Sequence, residues 1–194
     1  MTQGMTDRDP AFLDGHLLIA MPGMGDLRFA RAVIFLCAHS AEGAMGLMVN
    51  KPAPELRFAD LLKQLKIPAA GDLAETRVHI GGPVEHGRGF VLHSAEYGLD
   101  GASLRVDAAF AMSATVDILQ DMARGAGPAR AILALGYAGW GPGQLEGEIQ
   151  ANGWLIAPAE PDLVFGLRDA EKWEGALRSL SIDPRLLSAE GGRA

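Results

Sequence analysis

The most constrained stretch of the chain runs Leu135-Gly-Tyr-Ala-Gly-Trp-Gly-Pro-Gly-Gln-Leu-Glu-Gly-Glu-Ile-Gln-Ala-Asn-Gly-Trp-Leu-Ile-Ala-Pro158. An apolar run beginning at Ile132 leads into it, glycines crowd its first half, and a second apolar run ends it. This pattern predicts a strand, a glycine-rich loop, a short helix and another strand. Because glycine permits positive φ and close backbone approach, we expect the loop to turn tightly or to pack against a neighbouring segment.

Proline and glycine chemistry predicts where the helix of this stretch begins and ends. Pro142 suits the first helical position, where its missing N–H costs nothing, so Gly141 is predicted as the N-cap. Trp140 and Leu145 then have the spacing of a hydrophobic staple. Asn152-Gly153 predicts the helix end, because both residues tolerate the left-handed backbone conformation.

A helix that begins at a glycine has no capping side chain, which leaves backbone N–H groups available to an anion. Gly143 and Gln144 hold these positions and are therefore candidate anion donors. No known phosphate loop is present, since the sequence has Pro142-Gly143-Gln144 where a Walker loop needs Gly-Lys-Ser/Thr. Glycine loops also serve as packing devices, and that alternative is the more common one.

Length and composition indicate a single domain. The chain has 194 residues, of which 48% are hydrophobic, with 25 Gly and 11 Pro. A chain of this size can bury a sizeable core and still contain many turns. We predict a disordered tail at residues 1–13, one domain at 14–187 and a frayed tail at 188–194.

Charge and cysteine content argue against several classes of protein. The net charge is −7 and the isoelectric point is about 5.2. No Lys/Arg-rich run is present, so direct binding of nucleic acid is not expected. The single cysteine, Cys37, cannot form an internal disulfide and suits a reducing cytoplasm. Residues 1–10 lack the apolar run of a signal peptide and no segment has the length of a membrane span, so we expect a cytoplasmic protein without membrane contact.

Hydrophobic periodicity predicts strands and helices that do not alternate strictly. Short apolar runs predict strands at His16–Met21, Val33–Ala38, Met45–Val49, Val78–Ile80, Phe90–His93, Leu104–Val106, Phe110–Met112, Ile132–Leu135 and Trp154–Ala157. Helical spacing predicts helices at Arg57–Lys66, from Ser113 or Thr115 to Arg124, and after a cap at Asp169. Glu85 to Gly89 predicts a polar turn. Such a mixture favours an α+β fold with much antiparallel pairing.

Three motifs together carry a resemblance that covers nearly the whole chain. The first joins Leu18-Ile-Ala-Met-Pro-Gly-Met24 and Arg28-Phe-Ala-Arg31 to the segment from Glu42 to Pro52. The second is Gly81-Gly-Pro83 with Arg88-Gly-Phe-Val-Leu-His93, and the third is Gly136 to Glu146 with Trp154-Leu155. In combination they resemble the YqgE/AlgH family of bacterial proteins. The chain departs from the family at Gly147, where an acidic residue is usual, which predicts a weaker helix.

The resemblance implies a fold but no established activity. It implies a mixed, barrel-like sheet, so the predicted class is α+β with a mixed, largely antiparallel, barrel-like β-sheet and flanking helices. The family name reflects a proposed role in regulating alginate synthesis genes. We do not interpret it as direct DNA binding, because the chain has no helix-turn-helix pattern with a basic recognition helix.

Two kinds of chemical site have weak support. Cys37 and His39 share a strand face and suggest an activated thiolate, but the simpler interpretation is a buried thiol. His79 and His93 would form a metal site if strands brought them together with a third ligand such as Glu85. Neither pattern is specific, and we predict no catalytic residue, no metal and no cofactor.

Three arginines in the family motifs are candidates for binding an anion. Arg28, Arg31 and Arg88 fall in predicted loops, where a guanidinium can form bidentate contacts with carboxylate or phosphate. The alternative is that they pair with carboxylates of the protein itself. The carboxylates considered are Asp26, Glu85 and Glu146.

We predict that the Gly139-to-Glu146 loop lies beside the Gly81-to-Arg88 loop and that the two form a binding patch. The candidate ligand- or partner-binding residues are Arg28, Arg31, Gly82, Arg88, Trp140, Gly141, Gly143, Gln144 and Glu146. The favoured function is a non-enzymatic cytoplasmic binding protein with a regulatory role, acting on an unknown protein partner or a small anionic ligand. The alternative is an enzyme of unrecognised type acting on a small anionic ligand at the same surface.

Overall fold

The computed structural model of the chain describes residues 12–69, 76–98 and 101–187. Most of the predicted tails at 1–13 and 188–194 lies outside the described residues, so those boundaries stay predictions. Phe12 and Leu13 are described, and both contact His39.

Nine strands make up one sheet within these ranges. They are β1 (His16–Ala20), β2 (Val33–Ser40), β3 (Gly43–Met48), β4 (Val78–Ile80), β5 (Val84–Ser94), β6 (Ser103–Arg105), β7 (Phe110–Ser113), β8 (Ala131–Trp140) and β9 (Trp154–Pro158). Their order is β6-β7-β5-β8-β3-β2-β1-β9, with β4 also beside β8. The β4–β8 pair is parallel and the other pairs are antiparallel. The sheet curls into a half-barrel, which confirms the predicted α+β class.

Four α-helices flank the sheet in the described part of the chain. They are α1 (Phe58–Gln64), α2 (Val116–Ala123), α3 (Gln144–Gln150) and α4 (Asp169–Ser179). A short π-helical turn at Asp162–Gly166 precedes α4, and 3-10 turns lie at Leu27–Phe29 and Pro184–Leu186. None of the helices seen in the described ranges has the length and apolar character needed to cross a bilayer.

The strand β8 is longer than predicted and occupies the middle of the sheet. It continues through Gly136 to Trp140, where a loop was expected, and its last residues pair with β3. Its first half pairs with β5 on one side and β4 on the other. Gly46 of β3 lies opposite Ala138 in this pairing, and a Cβ at Gly46 would clash with Ile34 and Phe35 of β2.

The predicted polar turn at Glu85 to Gly89 is wrong. These residues belong to β5, which pairs with β8 at Val84–Tyr137 and again at Gly89–Leu135. Residues 85–88 therefore form a four-residue bulge opposite Gly136 of β8. A bulge bends the strand and turns its side chains outward, which is why so polar a sequence is tolerated inside a strand.

The start of α3 is two residues later than predicted. The N-cap is Gly143, with φ of +72°, and not Gly141. The N–H of Gln144 donates to the carbonyl of Gly141 at 3.1 Å, and the Gln144 side chain accepts the Gly141 N–H at 3.0 Å. The expectation of a free N–H at Gln144 is therefore wrong, because the turn before the helix uses it. The predicted stop at Asn152 is confirmed by its φ of +60°.

Helix α4 is fastened to the sheet through buried charge. Asp169 is the first residue of the helix, and Arg168 is its N-cap, so the predicted cap at Asp169 is wrong by one residue. The Asp169 carboxylate faces inward, where it accepts from Lys172 Nζ at 3.0 Å and lies 2.9 Å from His79 Nε2. Lys172, which is 2% exposed, also donates to the carbonyl of Val49 at 2.7 Å. We call Asp169, His79 and Lys172 the α4 ionic cluster.

Candidate functional site

An open groove of about 770 Å³ crosses β8 and reaches the β2–β3 hairpin and β5. Its floor is apolar and aromatic, with Tyr137 and Phe90 in edge-to-face contact at 5.8 Å. Met45 and Met112 also line it. We call it the β8 groove. Its residues are Ala38, His39, Ser40, Glu42, Gly43, Ala44, Met45, Val84, Arg88, Phe90, Met112, Tyr137, Gly139 and Trp140.

His39 lies in the wall of the β8 groove and is held at both ring nitrogens. Its Nδ1 accepts the backbone N–H of Leu13 at 2.9 Å, so Nδ1 carries no proton. The proton is therefore on Nε2, which donates to Glu146 Oε1 at 2.5 Å. With its side chain 1% exposed, His39 is a neutral imidazole that has no free nitrogen for acid–base chemistry.

Glu146 holds α3 against β2 through this hydrogen bond. Its own backbone N–H and then the His39 ring hold the pKa of the Glu146 carboxyl below its usual range. The carboxylate is therefore ionised at neutral pH, and 43% of the side chain is exposed. Glu146 supports the groove wall, and its described side-chain partner is the His39 ring instead of the arginine expected from the sequence.

Arg88 provides a cation at the rim of the β8 groove. Its guanidinium lies 5.1 Å from the centroid of the Phe90 ring, and its side chain is 57% exposed. The contact with Glu85 is long, at 3.4 Å between Nη1 and Oε2. Exposed pairs of this kind contribute at most about 1 kcal/mol, so Arg88 can exchange Glu85 for an external anion at little cost.

The remaining candidate residues lie in several places. Trp140 lines the groove and is 7% exposed. Arg28 makes a bidentate contact with Asp26, with Nη2 to Oδ2 at 2.7 Å, and Arg31 lies 4.8 Å from the Trp173 ring centroid. Neither of these two arginines is a groove residue. The other candidates outside the lining are Gly82, Gly141, Gly143, Gln144 and Glu146.

The Gly81-to-Arg88 segment contacts the backbone of β8 just before the Gly139-to-Glu146 loop begins. A Cβ at Gly82 would lie 2.0 Å from the carbonyl carbon of Tyr137, and Val84 pairs with Tyr137 across the strands. Arg88 and Gly139 line the same groove. The two segments therefore approach each other at Arg88 and Gly139, while Gly141 and Glu146 lie against the β2–β3 hairpin. Their role as one binding patch stays a prediction.

Comparison with known proteins gives the family. A family model described as AlgH-like matches residues 17–185. The chain belongs to the AlgH-like family. A UPF0301 protein of Ruegeria pomeroyi is 61% identical over 183 residues, covering 94% of this chain and 99% of that protein. A UPF0301 protein of Nitrobacter hamburgensis is 56% identical over 193 residues, covering 96% of this chain and 89% of that protein.

Two solved structures share the fold. The solution structure of AlgH from Pseudomonas aeruginosa has a TM-score of 0.76 and 41% identity, with 100% of each chain covered. The crystal structure of DIP2367 from Corynebacterium diphtheriae has a TM-score of 0.69 and 24% identity, with 86% of each chain covered. At that lower identity the likeness concerns the fold alone. The AlgH structure agrees with the family resemblance seen in the sequence motifs.

Several groove residues of this AlgH-like chain were not foreseen. Nothing in the sequence around Met45, Phe90 and Tyr137 pointed beyond a strand. Strand periodicity does not show which face of the sheet will be left uncovered. His39 was considered only as a partner for Cys37. Its actual partner, Glu146, is 107 residues further along the chain, a separation that no local pattern reveals.

Cys37 is expected to be chemically inert in the folded AlgH-like chain. It is 3% exposed, and burial raises the pKa of its thiol to about 12. We predict that it reacts with a disulfide reagent at neutral pH at least about 100-fold more slowly than the same chain in denaturant. Absorbance of the released thiolate measures both rates. Equal rates in the two states would contradict the burial argument.

The two histidines considered for a metal site make separate contacts. His79 Nε2 meets Asp169 of α4 at 2.9 Å, whereas His93 Nε2 meets Ser113 of β7 at 2.8 Å. Strand β8 separates their strands in the sheet. Over residues 12–69, 76–98 and 101–187, no three His, Cys, Asp or Glu side chains are grouped as metal ligands.

Proposed function

We propose that this AlgH-like protein is a cytoplasmic binding protein with a regulatory role, and that the β8 groove is its binding site. The groove would take a small anionic ligand or an acidic segment of a protein partner. The observation that carries the proposal is an open groove with an aromatic floor and a weakly paired arginine at its rim.

The floor of the β8 groove can contact an apolar part of the ligand, and its rim can bind an anionic part. Phe90 and Tyr137 can cover an apolar portion of the ligand, and burial of apolar surface contributes about 25 cal/mol for each Å². Arg88 can hold a carboxylate or phosphate through two parallel N–H···O bonds. Glu42 also lines the groove and would repel a second negative group. A ligand or segment with one anionic end is therefore the best match.

The chemistry of the groove wall supports binding over catalysis at this surface. The thiolate–imidazole pair considered from the sequence is not available there, since the Cys37 thiol is buried and both nitrogens of His39 are engaged. An enzyme acting on the same anionic ligand would need a free nucleophile or base beside it. The acidic net charge also disfavours nucleic acid as the partner.

Arg88→Ala tests the proposal. Tagged wild-type and variant chains would be used to capture partners from a lysate of a bacterium that carries the protein, followed by quantitative mass spectrometry. We expect a partner that the wild type retains to fall at least about tenfold with Arg88→Ala, because a bidentate contact with a charged group is lost. The melting temperature should change little, since Arg88 is exposed and weakly paired.

Arg168→Ala is the matched control. Arg168 is 76% exposed and pairs with Glu171 in the same i,i+3 arrangement that Arg88 has with Glu85. This variant should retain the partner. Equal capture by both variants would overturn the groove proposal. Glu146→Ala is unsuitable as a test, because it would leave the Nε2–H of buried His39 without its carboxylate and lower stability.

A further inference from the structure

A second cavity, of about 290 Å³, lies between α1 and α2. We call it the α1–α2 pocket. Gly89 lines it, and a Cβ there would meet only Leu133 and Leu135, each at 3.9 Å. Its polar lining residues are Arg88, Ser113 and Thr115, and five leucines also line it: Leu61, Leu65, Leu119, Leu133 and Leu135.

The α1–α2 pocket and the β8 groove lie on opposite faces of β5. Phe90 lines the groove and Val91 lines the pocket, and successive strand residues point to opposite faces. Ser113 of β7 is directly opposite Val91, and His93 is two residues further along β5. The side chains of Ser113 and His93 are therefore on the pocket face, and Ser113 lines the pocket.

The hydrogen bonds of His93 determine where its proton is. Its Nδ1 lies 2.9 Å from the carbonyl oxygen of Ser94, which can only accept, so Nδ1 donates. Burial lowers the pKa of His93, which keeps the ring neutral at pH 7 and leaves Nε2 as an acceptor. The Ser113 hydroxyl, at 2.8 Å, therefore donates to Nε2. Ser103, whose Oγ is 2.6 Å from that of Ser113, then donates to Ser113.

We propose that Ser113 and His93 are a nucleophile–base pair that accepts a short, apolar acyl group from a carboxylic ester bound in the α1–α2 pocket. A hydroxyl whose proton is already directed to an imidazole is the arrangement that serine nucleophiles require. The Ser94 carbonyl orients the ring, as a carboxylate does in a catalytic triad. The five leucines of the pocket match an uncharged acyl chain, whereas Arg88 lines both the pocket and the β8 groove.

The acyl transfer needs no group beyond water. Ser113 Oγ bonds to the acyl carbon while its proton passes to His93 Nε2, and the imidazolium is stabilised by the Nδ1–H bond to Ser94. The bond from the acyl carbon to the alkoxy oxygen then breaks, and that oxygen takes the proton from Nε2. Water attacks the acyl-Ser113 while His93 takes its proton, and the proton returns to Oγ as the acid leaves.

An alkyl fluorophosphonate tests the pair by covalent capture. Ser113 Oγ would bond to phosphorus as fluoride leaves, and tryptic mass spectrometry would find the alkylphosphonyl group on Ser113. We expect Ser113→Ala to abolish this modification and His93→Gln to slow it at least about 100-fold. Ser179→Ala is the control, because Ser179 lies in α4, donates to the carbonyl of Ala176 and is not a pocket residue. It should be modified at the wild-type rate.

Gly89→Ala provides a variant that leaves both reacting side chains in place. The added methyl makes ordinary contacts at 3.9 Å, so the fold should be retained, but it narrows the pocket floor. We expect it to slow modification by an octyl probe roughly tenfold and by a methyl probe much less. An unmodified wild type, modification at another serine, or equal rates for wild type and His93→Gln would overturn the proposal. None of those outcomes tests the proposal for the β8 groove, which depends on partner capture by the Arg88→Ala variant.

Discussion

Gly82→Ala is expected to lower the free energy of unfolding by at least about 3 kcal/mol or to prevent folding. A Cβ at this position would lie 2.0 Å from the carbonyl carbon of Tyr137, 2.2 Å from its oxygen and 2.3 Å from the nitrogen of Ala138. All three atoms are backbone, so no rotamer change can relieve the clash. Accommodation would require the β4–β5 connection to move away from β8.

Gly147→Ala is the matched control for Gly82→Ala. Gly147 lies inside α3, and an added Cβ would meet no heavy atom within 4 Å. Because alanine favours the helix, we expect this variant to gain about 0.5–1 kcal/mol. Urea denaturation followed by circular dichroism measures both variants. A loss below about 1 kcal/mol for Gly82→Ala would show that the two strands do not approach as closely as described.

Asp169→Asn is expected to cost about 3–5 kcal/mol, because it leaves the ammonium of Lys172 buried without a counter-charge. Lys172 is 2% exposed, and Asp169 is its partner at 3.0 Å. The surface pair Asp183–Arg185 provides the control, since Arg185 is 88% exposed and Asp183→Asn should cost less than about 1 kcal/mol. Asp169→Asn combined with Lys172→Met should recover part of the loss. If the single variant unfolds like wild type in urea, the cluster does not contribute to stability.

The same cluster predicts how stability depends on pH. Burial works to raise the pKa of Asp169, but the hydrogen bond from His79 and the charges of His79 and Lys172 outweigh it and lower the pKa to about 2. Since the unfolded carboxyl titrates near 3.8, the contribution is fully present above that pH and is lost as the pH falls through about 2. It amounts to about 2 kcal/mol. Asp169→Asn should show a correspondingly smaller loss of stability between pH 4 and pH 2.

Local patterns in the sequence predicted most elements of the fold. Alternating and continuous apolar runs placed the β2–β3 hairpin, and Asn152 marked the end of α3, because side-chain periodicity and turn chemistry act over a few residues. The family motifs added the curl of the sheet. Errors came where two local signals competed. Proline favours the first turn of a helix, so the helix was predicted to begin at Pro142. In the structure Pro142 lies in a turn, and the left-handed Gly143 is the N-cap instead.

The candidate sites depend on contacts that only the tertiary structure makes. Strand order places the bulge of β5 beside β8, and with it Arg88 above the aromatic floor of the β8 groove. His39 is hydrogen-bonded to Glu146, 107 positions away, and His93 is hydrogen-bonded to Ser113 on the neighbouring strand. The sequence by itself determined where most strands begin or end, because that preference is local, but not the extra length of β5 and β8. Which strands pair, and which face stays open, is decided by long-range burial of the whole core, so both sites emerge only with the folded sheet.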